Sequence, residues 1–441
     1  MSEIEVVALP DVYGTHREIP RTYVERKGVD DVFVDALSRK RHITIYGSSK
    51  QGKTCLRKHC LREDDYVDVI CNNKWTLAHI NQAILKKIGY SVEQGKSKSI
   101  EGNYKLGLKV SGEVSIPHLQ KAGIEFTAEK GGKDTTSSTT QVKFEIDAGD
   151  PNDVIAALKA INFTKFIILD DFHYLPIETQ KDFAVALKAF HEMSDLTFIV
   201  VGVWKEENRL SLYNGDLTGR TIAVDADQWT REELEKVILR GQKPLNITWD
   251  RGFVDTLLDR ASESIYIVQE VCYRACERAK VFETQRLNHM IGGDIDVSQM
   301  IKDVVDEDGG RYRDVLHSFA DGFQDTNYDM YRWVLYPVLT ASAEDLDTGL
   351  RYKYIRERID ERHPSAPVNA GNISQALKSV QNLQIKKAMK PFLFDYDSTN
   401  LRLRVVDRRF LLWLLNQDRS ELLDAIDLPT TQEPPSNPRP A

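Results

Sequence analysis

Residues 47–54, Gly-Ser-Ser-Lys-Gln-Gly-Lys-Thr, constrain the fold more than any other stretch of the chain. They follow a short β-branched run, His42-Ile43-Thr44-Ile45-Tyr46, and open a segment from Lys53 to Leu61 that reads as a helix. That strand–loop–helix setting separates a true phosphate-binding loop from a chance match of Gly-x-x-x-x-Gly-Lys-Thr. Gly47 and Gly52 let the backbone wrap closely, so that its N–H groups turn inward toward an anion. The helix N-terminus adds a favourable partial positive charge. Lys53 then reaches the β- and γ-phosphates, and the Thr54 hydroxyl coordinates magnesium. Gly47, Ser48, Ser49, Lys50, Gln51, Gly52, Lys53, Thr54 and Cys55 are therefore the candidate contacts for ATP with Mg2+.

A second element supports the first. Phe166-Ile167-Ile168-Leu169-Asp170-Asp171 is a buried apolar strand ending in acid. Asp170 is the candidate magnesium ligand beside Thr54, directly or through water. Asp171 is the candidate base that polarises the attacking water. Glutamate is commoner at that position, and the shorter aspartate predicts slow hydrolysis.

Around these motifs the apolar pattern alternates between strands and helices, as a parallel sheet covered on both faces requires. Tyr66–Ile70, Phe166–Leu169, Thr197–Val203 and Thr221–Val224 read as further strands. Leu77–Ile88, Asp153–Ile161 and Gln180–Met193 read as helices between them. Residues 95–147 break the pattern: Leu106, Leu108, Val110 and Val142, Phe144, Ile146 alternate with polar residues, as in exposed strands. Between the two sets lies the polar stretch from Lys130 to Thr140, read as a mobile tip. After Trp229 the chain turns helical over Arg231–Gly241, Arg251–Ala261, Ile265–Phe282 and Val297–Asp306. A helix over Asn372–Asn382 then precedes two strands, Pro391–Tyr396 and Leu401–Val406, joined by a turn at Asp397-Ser398-Thr399-Asn400, and a closing helix over Asp407–Leu415.

Composition excludes some classes. With 41% hydrophobic and 29% charged residues the chain is neither disordered nor fibrous. The five cysteines form no paired ligand pattern and read as free thiols in a reducing compartment. No basic leader precedes an apolar stretch, and no apolar run reaches the roughly 18 residues of a membrane span. A cytoplasmic protein without membrane contact is expected. The net charge of −8 is unevenly spread: residues 351–416 hold 13 Lys and Arg against 6 Asp and Glu, or +7, leaving −15 for the rest. Gln375, Lys378, Ser379 and Gln381 on a candidate recognition helix, with Lys386, Lys387, Lys390, Arg402 and Arg404 nearby, make a possible DNA contact. The same cations would equally serve to face the acidic remainder of the chain.

The order of elements resembles the AAA+/STAND group of P-loop ATPases, in particular its archaeal-type and replication-initiator-like branches. The resemblance is carried by Pro20–Val24, Tyr46–Thr54, Leu169–His173, Gly219-Arg220, Trp229–Leu234 and Ser264–Gln269. It implies an α/β class fold: a P-loop parallel-sheet core over residues 1–230, a helical lid over 231–306 and a C-terminal winged-helix domain over 307–420. The alternating segment at about 95–147 reads as a β-rich insertion into that core, and the end, where Pro429–Ala441 is rich in proline and lacks apolar residues, reads as a disordered tail, set at 421–441. The resemblance places Tyr23 near the adenine. It makes Arg220, ahead of the last core strand, a candidate arginine acting on a γ-phosphate, in cis or from a neighbouring subunit. The lid helix begins Ile265-Tyr266 where Gly and Pro are common in STAND members, and no repeat array is seen. The implied activity is a slowly hydrolysing, nucleotide-controlled switch for homo-oligomerisation or engagement of a protein partner, in bacterial defence or mobile-element biology. The alternatives are an ATP-dependent DNA-binding regulator of replication or transposition, and a scaffold with structural nucleotide.

Overall fold

The computed structural model describes residues 5–15, 18–94, 103–110, 126–131, 139–323 and 329–430. Its centre is a parallel sheet. Strands β1 (His42–Tyr46) and β2 (Tyr66–Ile70) precede four strands of an insertion, β3 (Ser91–Gln94), β4 (Asn103–Val110), β5 (Phe126–Gly131) and β6 (Thr139–Asp147). The core resumes with β7 (Phe166–Asp170), β8 (Phe198–Val201) and β9 (Thr221–Asp225), in the order β2-β7-β8-β1-β9, all parallel. The expected parallel-sheet core is thus the one observed.

Both faces of this sheet are covered, which is why its strands read as unbroken apolar runs. Ile43, Ile45, Ile168, Ile199 and Val201 pack under Phe33 of the helix Asp30–Ser38 and Leu56 of the helix Lys53–Cys60. Ile167, Leu169, Phe198 and Val200 face Ile80, Ile84, Val154, Leu158, Phe183, Leu187 and Phe190 on three helices of the other side. Because all five strands run the same way, their C-terminal ends share one edge. The loops after β1, β7, β8 and β9 meet there.

The insertion is a separate antiparallel sheet, order β3-β4-β6-β5, with Asn103 opposite Asp147 and Val110 opposite Thr140. It begins at Ser91, a little before the expected boundary. Residues 132–138, within the expected mobile tip, lie outside the described residues.

Residues 231–306, the segment expected as a lid and called so below, hold four main helices and also a parallel pair of short strands, β10 (Ile247–Trp249) and β11 (His289–Ile291). The first residues of the chain belong to the lid and not to the sheet core. Val7, Leu9, Val12 and Tyr13 are buried in its apolar cluster, and the Trp249 indole donates to the Tyr13 hydroxyl at 2.9 Å.

The C-terminal domain adds helices and a three-stranded antiparallel sheet, β12 (Leu350–Arg351), β14 (Arg402–Val405) and β13 (Phe394–Asp397) in that order. Its hairpin turn is set by Asp397, whose carboxylate accepts the backbone N–H of Thr399 and of Asn400 at 2.9 Å each. Two expectations are corrected here. The helix expected over 372–382 is two helices, Ala370–Lys378 and Val380–Lys386, divided at Ser379. Residues 421–430 are not tail: the helix Arg419–Asp424 and the turn after it bury Leu422, Leu423, Ile426 and Leu428.

The apolar bookkeeping divides the molecule unexpectedly. Lid and C-terminal domain share one continuous buried cluster. Among the described residues, the C-terminal domain meets the sheet core through a small apolar patch, Ile385, Phe392 and Val406 against Tyr174, Ile177 and Val203, together with polar contacts.

Candidate functional site

The phosphate-binding loop leaves β1 with Gly47 at φ +133°, turns again at Lys50 (φ +58°) and enters its helix through Gly52 at φ +86°. A side chain at Gly47 would be strained, and its Cβ would lie 2.9 Å from an Asp227 carboxylate oxygen. Asp227 is the structural partner of the loop: it accepts the Ser48 N–H at 2.7 Å and the Ser48 hydroxyl at 2.9 Å. Burial alone would raise its carboxyl, but Lys205, Lys53 and Arg408 outweigh that and hold it below the usual range.

Lys53 donates to the carbonyls of Gly47 (2.9 Å) and Ser48 (2.5 Å). Burial lowers its ammonium to about 8, partly offset by Asp227 and Asp170. Such an amine gains most from an arriving anion. Thr54, one residue on, is exposed, and Ser49 is half-buried in the loop. Gln51 is buried and accepts the N–H of Ile265 at 3.3 Å, joining the loop to the start of the lid helix Ile265–Arg278. Lys50 lies 4.0 Å over the Tyr266 ring of that helix.

β7 delivers the acidic pair to the same edge. Asp170 lies 3.6 Å from the Arg57 guanidinium and accepts the Asp171 N–H. Asp171 sits in the left-handed region (φ +56°), which turns the chain sharply into Phe172–Tyr174. Burial, and then repulsion from Asp170, raise its carboxyl above the ordinary value. Both acids act on Lys53. Among the described residues no group of three or more His, Cys, Asp or Glu forms a cation cage. Thr54 and Asp170 would hold magnesium by one hydroxyl and one carboxylate, with the remaining positions left to phosphate and water. His173 is buried against Tyr174 and Phe392, and burial pushes its imidazole well below its usual value. It is packed where the sheet core meets the C-terminal domain.

A cavity of about 220 Å³ opens beside the loop. Tyr23, Val24, Gly52, Lys53, Thr54 and Cys55 line it, with Trp229 and Ile265 across from them. Tyr23 is therefore brought to the loop, its hydroxyl donating to Asp30. Aromatic and aliphatic side chains (Tyr23, Val24, Trp229, Ile265) share the walls with the cations Arg26, Lys50 and Lys53, a mixture suited to a nucleotide.

Arg220 is placed elsewhere. It precedes β9, and the β1–β9 register pairs His42 with Thr221 and Tyr46 with Asp225. Arg220 thus lies at the sheet edge opposite the phosphate loop, paired with Glu192 at 2.7 Å. Action in cis is excluded by this geometry.

The cations singled out for DNA are also engaged within the chain. Lys387 donates to the Ser318 carbonyl, Lys386 lies over Phe323, Lys390 lies 4.4 Å over Tyr174, Arg402 donates to Thr348 and Gly349, and Arg404 donates to the Lys205 carbonyl. Gln381 donates to Asp395. Three residues of the site were not anticipated: Asp227, Lys205, whose ammonium pairs with Asp227, and Arg26, stacked 4.2 Å over Trp229. A signal for the first was present. Asp225-Ala226-Asp227 ends a core strand in acid, just as Asp170-Asp171 does.

No protein-family model matches the sequence, and neither does any curated protein sequence. Among solved structures the chain is similar to a Walker-type ATPase of Pyrococcus abyssi, at 10% identity and TM-score 0.45, over 90% of this chain and 99% of that one. It is similar to the Aeropyrum pernix Orc1 protein, determined in complex with DNA, at 10% identity and TM-score 0.44, over 97% and 98%. It is similar to the RuvB Holliday junction branch migration motor of Thermotoga maritima, at 11% identity and TM-score 0.35, over 86% and 91%. Likeness at this level assigns neither activity nor partners.

Proposed function

We propose that this chain is an ATP-binding, slowly hydrolysing ATPase whose nucleotide state controls how its C-terminal domain, read as a winged helix, sits on the sheet core. The observation that carries the reading is a continuous polar path. Ser48 of the phosphate loop is held by Asp227, and Asp227 is paired with Lys205. The backbone of Lys205 is then gripped from the C-terminal domain on two sides: its N–H donates to Asp395 at 3.4 Å, and its carbonyl accepts Arg404 at 3.3 Å. A change in the loop therefore reaches the joint through three residues. The joint is small and polar, so its two arrangements differ by little apolar burial.

The chemistry follows from the same residues. Lys53 exchanges its carbonyl partners for the β- and γ-phosphates of ATP. Magnesium, held by Thr54 and Asp170, supplies charge neutralisation when bound. Asp171 orients the attacking water and, with its raised carboxyl, takes up the proton. Arg220, barred from its own loop, serves a neighbouring copy in a homo-oligomer, and the altered joint engages a protein partner.

The test is ATP turnover together with assembly mass in ATP, in ADP and without nucleotide, for the wild type and for Lys53→Ala and Asp171→Asn. Lys53→Ala abolishes ATP binding, and Asp171→Asn retains binding but loses turnover. A Lys53→Ala protein that keeps nucleotide-dependent assembly sinks the switch.

A further inference from the structure

Arg57 lies four residues after Lys53 on the helix Lys53–Cys60, so the two share a face of it. Lys53 turns to the loop carbonyls, and Arg57 turns to the end of β7. Phosphate binding itself calls for no cation at 57, yet this one is buried, the residue being only 6% exposed. A buried guanidinium needs compensation from hydrogen bonds or from an opposite charge. Hydrogen bonds do not supply it fully, because Nε and Nη1 have no acceptor among the described residues. The Tyr66 ring lies 5.4 Å from the guanidinium carbon, and Oδ2 of Asp170 lies 3.6 Å from Nη1.

The two carboxylate oxygens of Asp170 are thereby made unlike. Oδ1 accepts the Asp171 N–H at 2.9 Å. Oδ2 accepts no hydrogen bond among the described residues, and 3.6 Å is an ion-pair separation too long for one. Oδ2 therefore keeps its lone pairs while a full positive charge stands beside it. An oxygen in that state is ready to ligate a metal, but its charge is already balanced. Across the loop, Lys53 and Arg57 set two positive charges against Asp170 and Asp171.

We propose that Arg57 is a positioning residue that acts through Asp170: it holds the carboxylate as a neutralised pair, so that Asp170 takes no divalent cation by itself and ligates one only when phosphate brings further negative charge to the loop. The inference rests on the reading of the loop as an ATP site. A unit positive charge beside a ligating carboxylate weakens its hold on a dication roughly tenfold or more, at an effective dielectric between those of protein and water. Because Oδ2 makes no hydrogen bond, none has to be broken when nucleotide arrives. Asp170 thus stays free of metal while the loop is empty, and metal and nucleotide are taken up together.

The test measures Mn2+, a paramagnetic stand-in for magnesium, bound to the full chain by electron paramagnetic resonance, without nucleotide and with saturating ADP. The wild type holds Mn2+ weakly alone and much more tightly with ADP. Arg57→Met and Arg57→Gln remove the charge and bind Mn2+ without nucleotide roughly tenfold more tightly than the wild type. Arg57→Lys keeps the charge and stays at the wild-type level. Adding Asp170→Asn to Arg57→Met cancels the gain. Binding of fluorescent ADP without metal, measured on each variant, shows that the loop is folded. A mere brace between helix and sheet gives the opposite result, since loosening the site lowers metal affinity. The proposal is overturned if the wild type binds Mn2+ as tightly without nucleotide as with it, if both uncharged variants stay within a fewfold of the wild type, or if the gain survives Asp170→Asn. A wild type that binds no ADP overturns the nucleotide reading and this inference with it. ADP binding that persists in variants without any gain in metal affinity overturns this inference alone.

Discussion

The joint between sheet core and C-terminal domain is closed by one buried ion pair, and its removal has a calculable effect. The Arg209 guanidinium donates to both carboxylate oxygens of Asp395 at 2.7 Å, with the two side chains 2% and 3% exposed. Breaking a buried pair from one side costs about 3–5 kcal/mol, because the remaining charge stays buried without its partner. Glu206 stays 2.9 Å from Arg209 and would share that charge, which puts Asp395→Ala at the lower end, about 3 kcal/mol. At 1.4 kcal/mol per tenfold, docking then weakens roughly 100-fold. Arg209 sits on the sheet core and Asp395 on β13, so the cost falls on the joint and not on either apolar core. Hydrogen exchange reads it directly: amides of the helix Val380–Lys386, which faces the core, exchange roughly 100-fold faster, while those of β7 and β8 do not change. Arg209→Met combined with Asp395→Leu recovers most of the protection, since it leaves no orphaned charge. Exchange in that helix within a fewfold of wild type for Asp395→Ala would falsify the assignment of the joint to this pair.

Burial raises the Glu206 carboxyl to about 7 against an ordinary 4.5, with Arg209 pulling it the other way. The folded state therefore holds this proton more tightly than the unfolded state. Its stabilising contribution is full below pH 4.5 and is lost as pH rises toward 7, so wild-type melting temperature falls across that window relative to Glu206→Gln. Lys53, lowered to about 8 by burial, takes up a proton when phosphate restores its charge. ATP binding at pH 8.5, followed in buffers of different ionisation enthalpy, shows net uptake of a large fraction of one proton; none would refute the role of Lys53. Gly47→Ala forces a Cβ to within 2.9 Å of Asp227 at a φ of +133° and lowers ATP affinity at least tenfold. Gly215→Ala, with nothing within 4 Å of the added carbon, leaves affinity unchanged.

The parallel sheet and its phosphate loop were legible because their signals are local. A strand covered on both faces writes a continuous apolar run, and a loop needing positive φ writes glycines at 47 and 52. Features built from distant partners left no such trace. The β10–β11 pair joins Ile247–Trp249 to His289–Ile291 across a whole helix. The break at Ser379 carries neither glycine nor proline, and exists because Val380, Leu383 and Ile385 must turn toward buried positions. Leu422, Leu423, Ile426 and Leu428 stood in plain view, but the proline content beyond 429 drew the tail boundary too early. Lys205 was unreadable because its role depends on Asp227, which meets it only across the sheet edge.

The excess of +7 in residues 351–416 raises a subtler point about charge. Counting suggested cations free for phosphate, whereas several have found backbone carbonyls and aromatic rings. Lys387, Arg402, Arg404 and Arg408 donate to carbonyls, and Lys390 lies over Tyr174. A carbonyl or a ring engages a donor without cancelling its charge. The docked domain therefore keeps its positive field while several of its donors are engaged, and attracts a polyanion only weakly and at long range. Of these cations, Lys390 and Arg404 face the sheet core, so release of the joint frees about two for phosphate contacts. Each phosphate contact adds about 0.9 to the magnitude of the slope of log affinity against log salt. Asp395→Ala should therefore bind duplex DNA with a slope steeper by roughly 2 than wild type, measured by fluorescence anisotropy between 50 and 200 mM salt. Equal slopes for the two proteins would mean that the cations do not meet DNA on release, and would leave the C-terminal domain a protein-docking element whose charge serves only the chain that carries it.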